Sequence, residues 1–343
     1  MTTPESSILL VGLYGTGKTN FLVGLDIVLD EQTDPNGLVH SDHAADRAYL
    51  QPLRAQWLRG EELDHTSRQI APPPHQLLVL HPASGTRATF HIPDLAGETF
   101  AAQFVTRSFP LEFVERIQQA AGLILFLHCE QEANHALNTH PAFMDPAPAN
   151  EGDVDVASPE NHGREWQLED ACRQVKLVDL LQFIAEIRRN RPPIRIAVAV
   201  SAWERVDKAP KALETEMPKE PVRFFSKRWP LIDQYLQGNG ETFAFHVFGV
   251  SARGGGMTPA EIARLTHFAH PPDRILVVDG SNRSSDLTRP VRWILGLLEP
   301  TPTPDAGFHK NRASAFWLSR RSQLGRGFSP AGSARPPISR HHH

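Results

Sequence analysis

The feature that most constrains this chain lies near its start. Ser7 to Val11 is a short apolar run, and Gly12-Leu13-Tyr14-Gly15-Thr16-Gly17-Lys18-Thr19 follows it directly. This octet fits GxxxxGK[ST], a loop whose small residues let backbone N–H groups curl around a phosphate. Behind it, Phe21, Leu22, Leu25, Val28 and Leu29 fall at helical spacing. Strand, glycine loop and amphipathic helix, in that order, aim the positive end of a helix dipole at an anion. The candidate phosphate contacts are therefore Gly12, Tyr14, Gly15, Thr16, Gly17, Lys18, Thr19 and Asn20. In such a loop the lysine, here Lys18, reaches the β- and γ-phosphates, and the hydroxyl of Thr19 binds Mg²⁺.

The rest of the chain supplies a sheet for that loop. A helix is expected around Ala44 to Leu58, stopped before Pro72, Pro73 and Pro74. Gln76 to Leu80 and Arg87 to Ile92 read as strands joined by the turn Ala83-Ser84-Gly85-Thr86. Leu111, Val114 and Ile117 mark a helix, and the unbroken apolar run Gly122 to Leu127 a buried strand. Leu177, Leu180, Leu181, Ile184 and Ile187 form an amphipathic helix ended by Pro192-Pro193. Ile194 to Val200 and Thr242 to Val250 are further strands, with a helix near Phe224 to Leu236 between them. Ile275 to Val278 is a candidate extra strand, and Leu287 to Leu298 a closing helix. This alternation predicts an α/β fold of three layers: a mostly parallel sheet with one antiparallel edge strand, between helices.

Length alone, 343 residues, suggests about two domains. The motif order instead predicts one domain over 1–300, with insertions at about 33–74, 129–165 and 254–285, and a basic tail over 301–343 that lacks periodic pattern. Charge divides the same way. The tail holds seven basic residues and one acid, while 129–170 holds ten acids and one base, Arg164. Since the whole chain is −4, the body is acidic, which excludes a simple polyanion binder. The tail is expected to be solubilising, with an acidic partner, an anionic surface or nucleic acid as its functional alternative. Many of the 29 prolines cluster before the hairpin, in the acidic insertion, at 192–193 and in the tail. The two cysteines, Cys129 and Cys172, have no metal or disulfide spacing, so a reducing cytoplasm is the expected home. No apolar run approaches the ~20 residues of a membrane span.

Three more elements bear on chemistry. Asp94-Leu95-Ala96-Gly97-Glu98 follows the second hairpin strand, where a DxxG carboxylate holds Mg²⁺ through water and the Gly97 N–H meets a γ-phosphate. Ser201-Ala202-Trp203-Glu204 follows the strand Ile194 to Val200, and Val250-Ser251-Ala252-Arg253 ends the strand Thr242 to Val250.

In this order the motifs resemble those of the Ras-like, translation-factor-related (TRAFAC) class of P-loop GTPases, over roughly residues 5–300. That resemblance implies GTP or GDP as ligand, Mg²⁺ as cofactor and a switch cycle. It makes Glu204 the carboxylate that reads guanine N1–H and N2–H₂, with Asp207 as its rival. Ala202 stands where the class has lysine, and Trp203 offers a stacking surface instead. Ser251 and Ala252 match the loop whose backbone N–H approaches guanine O6. Thr66 becomes the first-switch ligand of Mg²⁺, alongside Thr19 and Asp94, with Ser67 and Thr33 as alternatives and Arg68 a candidate internal arginine finger. Glu98 stands where a water-orienting glutamine is common, which implies slow intrinsic hydrolysis. Lys18, Thr66, Gly97 and Glu98 are thus the candidate catalytic set.

A closer likeness joins the helical stretch before Thr66, the DLAGE sequence, the Ala-Trp-Glu site and the ending Asp286-Leu287-Thr288-Arg289-Pro290-Val291-Arg292-Trp293-Ile294-Leu295. These are similar to the bacterial double-GTPase families of conflict and defence systems. That likeness implies protein partners, a GTPase-activating or effector protein. A nucleotide-binding pseudo-GTPase scaffold is the competing expectation.

Overall fold

The computed structural model describes residues 6–31, 37–41, 50–63, 75–92, 103–130, 171–213 and 217–299. Expectations at Thr33, Thr66, Ser67, Arg68, Asp94, Gly97 and Glu98, in most of the acidic insertion and in the tail lie outside these residues.

The strands are β1 (Ser6–Val11), β2 (Val39–His40), β3 (His75–His81), β4 (Thr86–Ile92), β5 (Ala120–His128), β6 (Ile194–Ser201), β7 (Phe243–Ser251), β8 (Leu276–Asp279) and β9 (Asn282–Ser284). They form one sheet in the order β2-β3-β4-β1-β5-β6-β7-β8-β9. The central strands β4, β1, β5, β6 and β7 pair in parallel. Both flanks are antiparallel: β3 pairs with β4 through the hairpin, and β8 with β7. The single antiparallel edge strand of the sequence reading thus gains a counterpart, because the 254–285 insertion folds back as the β8–β9 hairpin.

Along a strand, side chains alternate between faces. Ile8 and Leu10 of β1 therefore join one core, and Leu9 and Val11 the other. The first core is covered by α1 (Lys18–Asp30), α2 (Leu50–Leu58) and α9 (Thr288–Ile294), through Phe21, Leu25, Trp57 and Val291. The second is covered by α3 (Leu111–Gln119), α4 (Arg173–Ile187), α6 (Pro221–Arg228) and α7 (Pro230–Gly238), through Ile117, Leu180, Phe225 and Ile232. Two short helices, α5 (Trp203–Asp207) and α8 (Pro259–Thr266), lie at the ends of strands β6 and β7.

Two helix boundaries differ from expectation for local reasons. The segment Phe224 to Leu236 is two helices, because Pro230 has no N–H to continue α6 and instead opens α7. The closing helix ends at Ile294 rather than Leu298. Gly296 follows at φ 72°, a left-handed geometry that glycine reaches without a Cβ penalty. Of the helix expected over Ala44 to Leu58, the described part begins at Leu50.

Candidate nucleotide site

The phosphate loop leaves the C-terminal end of β1, which has β4 on one side and β5 on the other. In open α/β sheets, ligands bind at such carboxyl ends where the strand order reverses. Gly12 must be glycine here, since a Cβ would lie 2.8 Å from the Phe126 carbonyl oxygen of β5. Gly17 sits at φ 87° as the residue before α1, and no side chain caps that helix. The first N–H groups of α1 are therefore available to an anion.

Thr16 is buried, and its hydroxyl donates to the Leu13 carbonyl at 2.8 Å, closing the loop on itself. The Lys18 ammonium donates to the carbonyls of Gly12 at 2.6 Å and Leu13 at 2.9 Å. Burial pushes its pKa down to about 8. A half-buried ammonium held by neutral carbonyls and the Thr16 hydroxyl has no counter-charge among the described residues, and an incoming phosphate would supply one. Thr19 and Asn20 occupy the first turn of α1, and Asn20 Oδ1 is buried with no partner. Tyr14 is more than half exposed at the loop tip.

The adjoining strand ends carry the second half of the site. Ser201, nearly buried, closes β6, and its unpartnered hydroxyl would lie 3.5 Å from a Cβ on Gly17. Ala202 adopts a left-handed φ of 55°, and its carbonyl accepts from the Cys129 thiol at 3.3 Å. Burial pushes that thiol up to about 12, so Cys129 acts as a neutral donor beneath the turn.

Trp203 corrects one expectation. It is fully buried, packed edge-on to Phe224 with ring centroids 5.3 Å apart, and offers no surface to a base. Next to it, Glu204 holds a buried carboxylate oxygen, Oε2, with no hydrogen-bond partner among the described residues. Its rival Asp207 is taken: both oxygens accept from Arg283, at 2.7 and 2.9 Å. That pairing holds the Asp207 carboxyl below its usual range. At the end of β7, Ser251 is buried and its hydroxyl accepts the Gly254 N–H at 3.1 Å, which fixes the Ser251-Ala252 turn.

Glycine-loop donors, a half-buried ammonium and a carboxylate oxygen without a partner among the described residues thus follow the C-terminal ends of β1 and β6. They suit a ligand that is anionic at one end and carries N–H donors at the other. Of the three expected Mg²⁺ ligands only Thr19 is among the described residues, and its place beside Lys18 in the first turn of α1 fits that role. No cluster of three or more His, Cys, Asp or Glu side chains that could hold a metal occurs among the described residues.

The Double-GTPase 1 family model matches residues 9–294. The chain belongs to this family.

The double-GTPase match begins within β1 and ends in α9, so it embraces both cores and the whole described site. No curated protein matches the chain. Among solved structures, similarity extends to the signal recognition particle receptor SRb-GTP/SRX complex from Chaetomium thermophilum. Identity is 14%, covering 76% of this chain and 95% of that one, with a TM-score of 0.35. The SAR1 GTPase from Encephalitozoon cuniculi in complex with GDP is 12% identical, covering 77% and 78%, with a TM-score of 0.31. A bacterial selenocysteine-specific elongation factor, EF-Sec, is 11% identical over 73% of this chain, with a TM-score of 0.30. The double-GTPase chain spans about a quarter of that elongation factor's length, 26%.

Sequence reasoning singled out Lys18, Glu204 and Ser251 but gave no such place to Cys129 or Arg283, which pair with the Ala202 carbonyl and the Asp207 carboxylate 73 and 76 residues away, where no local pattern announces them. Among the described residues, no helix is long and apolar enough to cross a membrane.

Proposed function

We propose that this double-GTPase binds GTP, hydrolyses it to GDP and phosphate, and works as a switch for partner proteins. The observation that carries the proposal is the half-buried Lys18 ammonium resting on the Gly12 and Leu13 carbonyls beyond β1, with the Glu204 oxygen beyond β6, two strands along the same sheet. Phosphate would draw Lys18 off those carbonyls and fill the N–H cradle of Gly12 to Thr19. Glu204 would accept guanine N1–H and N2–H₂, two charge-assisted hydrogen bonds that adenine cannot make. Thr19, with Thr66 and Asp94, would hold Mg²⁺, which neutralises charge between the β- and γ-phosphates when bound. Gly97 would meet the γ-phosphate through its N–H. Glu98 would orient the attacking water, but its carboxylate repels the γ-phosphate, so intrinsic turnover is slow and a partner accelerates it. A multi-protein conflict or defence system fits such a partner-dependent switch.

A second reading is a pseudo-GTPase scaffold, favoured by Glu98 and Ala202 in the places of glutamine and lysine. Titration calorimetry with GTP and ATP tests the first reading. GTP should bind more tightly, and Lys18→Ala should abolish binding of both. Equal or tighter ATP binding refutes guanine selection, and retained binding in Lys18→Ala refutes the phosphate-loop assignment. Single-turnover phosphate release, alone and with cell extract, separates switch from scaffold.

A further inference from the structure

The side chain of Arg253 leaves the base-side loop altogether. Its guanidinium donates to the carbonyl of Gly60, just beyond the end of α2. Carbonyls at a helix C-terminus lack intrahelical partners, and those of α2 are capped by arginines from the far end of the chain. Arg274, nearly buried, donates to the carbonyls of Trp57 and Leu58 and lies 3.5 Å from the Trp57 ring centroid. Arg264 donates to the Gly254 carbonyl at 2.6 Å, gripping the loop from its other side.

The loop needs such external ties. Gly254, Gly255 and Gly256 follow Arg253 directly, and three glycines in a row lose much entropy when held in one conformation. Packing beneath the loop is close: a Cβ on Gly24 of α1 would lie 3.1 Å from the Ala252 carbonyl oxygen and 3.8 Å from Trp57. Arg253 also answers to the base-side carboxylate. Burial lowers its pKa, while the charges of Glu204 and Glu62 act to raise it.

We infer that Arg253 is a positioning residue for base recognition: by tying the 251–254 loop to the end of α2, it makes α2 the buttress of guanine selection. The inference rests on the nucleotide reading above. The Ala252 region presents its N–H to guanine O6 only while the loop is held in place, and the Arg253 side chain ties it to the turn that ends α2. Phosphate binding is built from β1 and α1 and does not pass through this contact.

The test compares GDP, ADP and pyrophosphate binding by calorimetry, with thermal denaturation, in the full chain and in Arg253→Ala and Arg253→Lys. Arg253→Ala should lose roughly tenfold in GDP affinity, the worth of one charge-assisted hydrogen bond. Its pyrophosphate affinity should stay unchanged. Arg253→Lys should recover part of the loss, because an ammonium can still donate to Gly60. Unaltered GDP affinity in Arg253→Ala overturns the inference. So does a parallel fall in GDP affinity, pyrophosphate affinity and melting temperature, which marks a merely structural arginine. If Arg253→Ala does not fold, Arg253→Gln carries the same comparison. Wild-type protein that binds no guanine nucleotide overturns the nucleotide reading and this inference together. Wild-type GDP binding with undiminished selectivity in the variant overturns only the buttress.

Discussion

Replacing Gly249 by alanine is expected to move Glu204 without touching it. Gly249 lies in β7, opposite Val200 of β6 and Val278 of β8. The space that its missing side chain leaves is filled by the Trp203 indole. A Cβ there would lie 2.5 Å from the ring Cε2 and 2.6 Å from Cγ. Carbon atoms pack best at about 3.5–4.0 Å, so the ring must retreat by about 1 Å. Trp203 has no exposure and Phe224 stands at its edge, so the retreat has to be made by the backbone of α5. Overpacking of this kind costs about 1–3 kcal/mol. For a domain of this order of size, each kcal/mol lowers the melting temperature by about 2–4 °C.

Glu204 is the next residue along, so its carboxylate moves with the ring. Hydrogen bonds to a charged group contribute about 1.5–3 kcal/mol each, so breaking one costs roughly tenfold or more in GDP affinity. Pyrophosphate affinity should not change, because the phosphate loop springs from β1. Urea denaturation and calorimetry measure both effects. Adding Trp203→Phe to Gly249→Ala should recover stability beyond the sum of the single changes, since the smaller ring vacates the contested space. Unchanged stability and GDP affinity in Gly249→Ala would refute the reasoning. A double variant no better than additive would show that Trp203 is not the route.

Lys18 gives a pH dependence of binding. Burial puts its pKa at about 8, below the 10.5 of the free side chain. Only the charged form attracts phosphate, so nucleotide affinity should be flat below pH 8 and fall above it, by up to about tenfold per pH unit. The stability term has the opposite sense: the penalty for burying the ammonium is complete below pH 8 and relieved between 8 and 10.5. Affinity that stays level to pH 10 in calorimetry would contradict this. Asp279, fully buried, accepts from His246 at 2.7 Å and Arg289 at 2.6 Å. Burial pushes its carboxyl up, but these partners outweigh it and the net shift is downward. Its contribution to stability is therefore present above the ordinary carboxylate value and lost as pH falls through the lower folded value. Asp279→Ala should cost about 3–5 kcal/mol in urea denaturation and flatten the acid limb of the stability profile.

The legible parts of this protein are those where chemistry is local. The phosphate loop is eight consecutive residues, and positive φ angles at Gly15 and Gly17 follow from residue type. The central strands were legible because both faces are buried and apolar runs result. The β8–β9 hairpin was only half legible, because short strands at a sheet edge carry little periodic signal. Pro230 dividing α6 from α7 was visible in the sequence, yet flanking aromatics masked the break.

The base side shows where local reading ends. The sequence offered Glu204 as the base-reading carboxylate with Asp207, three residues on, as its rival, and Trp203 as a surface beside them. Tertiary structure separates the three: Arg283, 76 residues beyond Asp207, occupies that carboxylate, while Gly249 and Phe224 draw the indole into the core. The sequence by itself determined a loop of the form that holds phosphate, because backbone N–H groups and a following helix suffice for that form. Only the tertiary structure decided which carboxylate stays open beside it. The side chains that close the alternatives come from strands and helices far along the chain, and their pairing is set by packing distance.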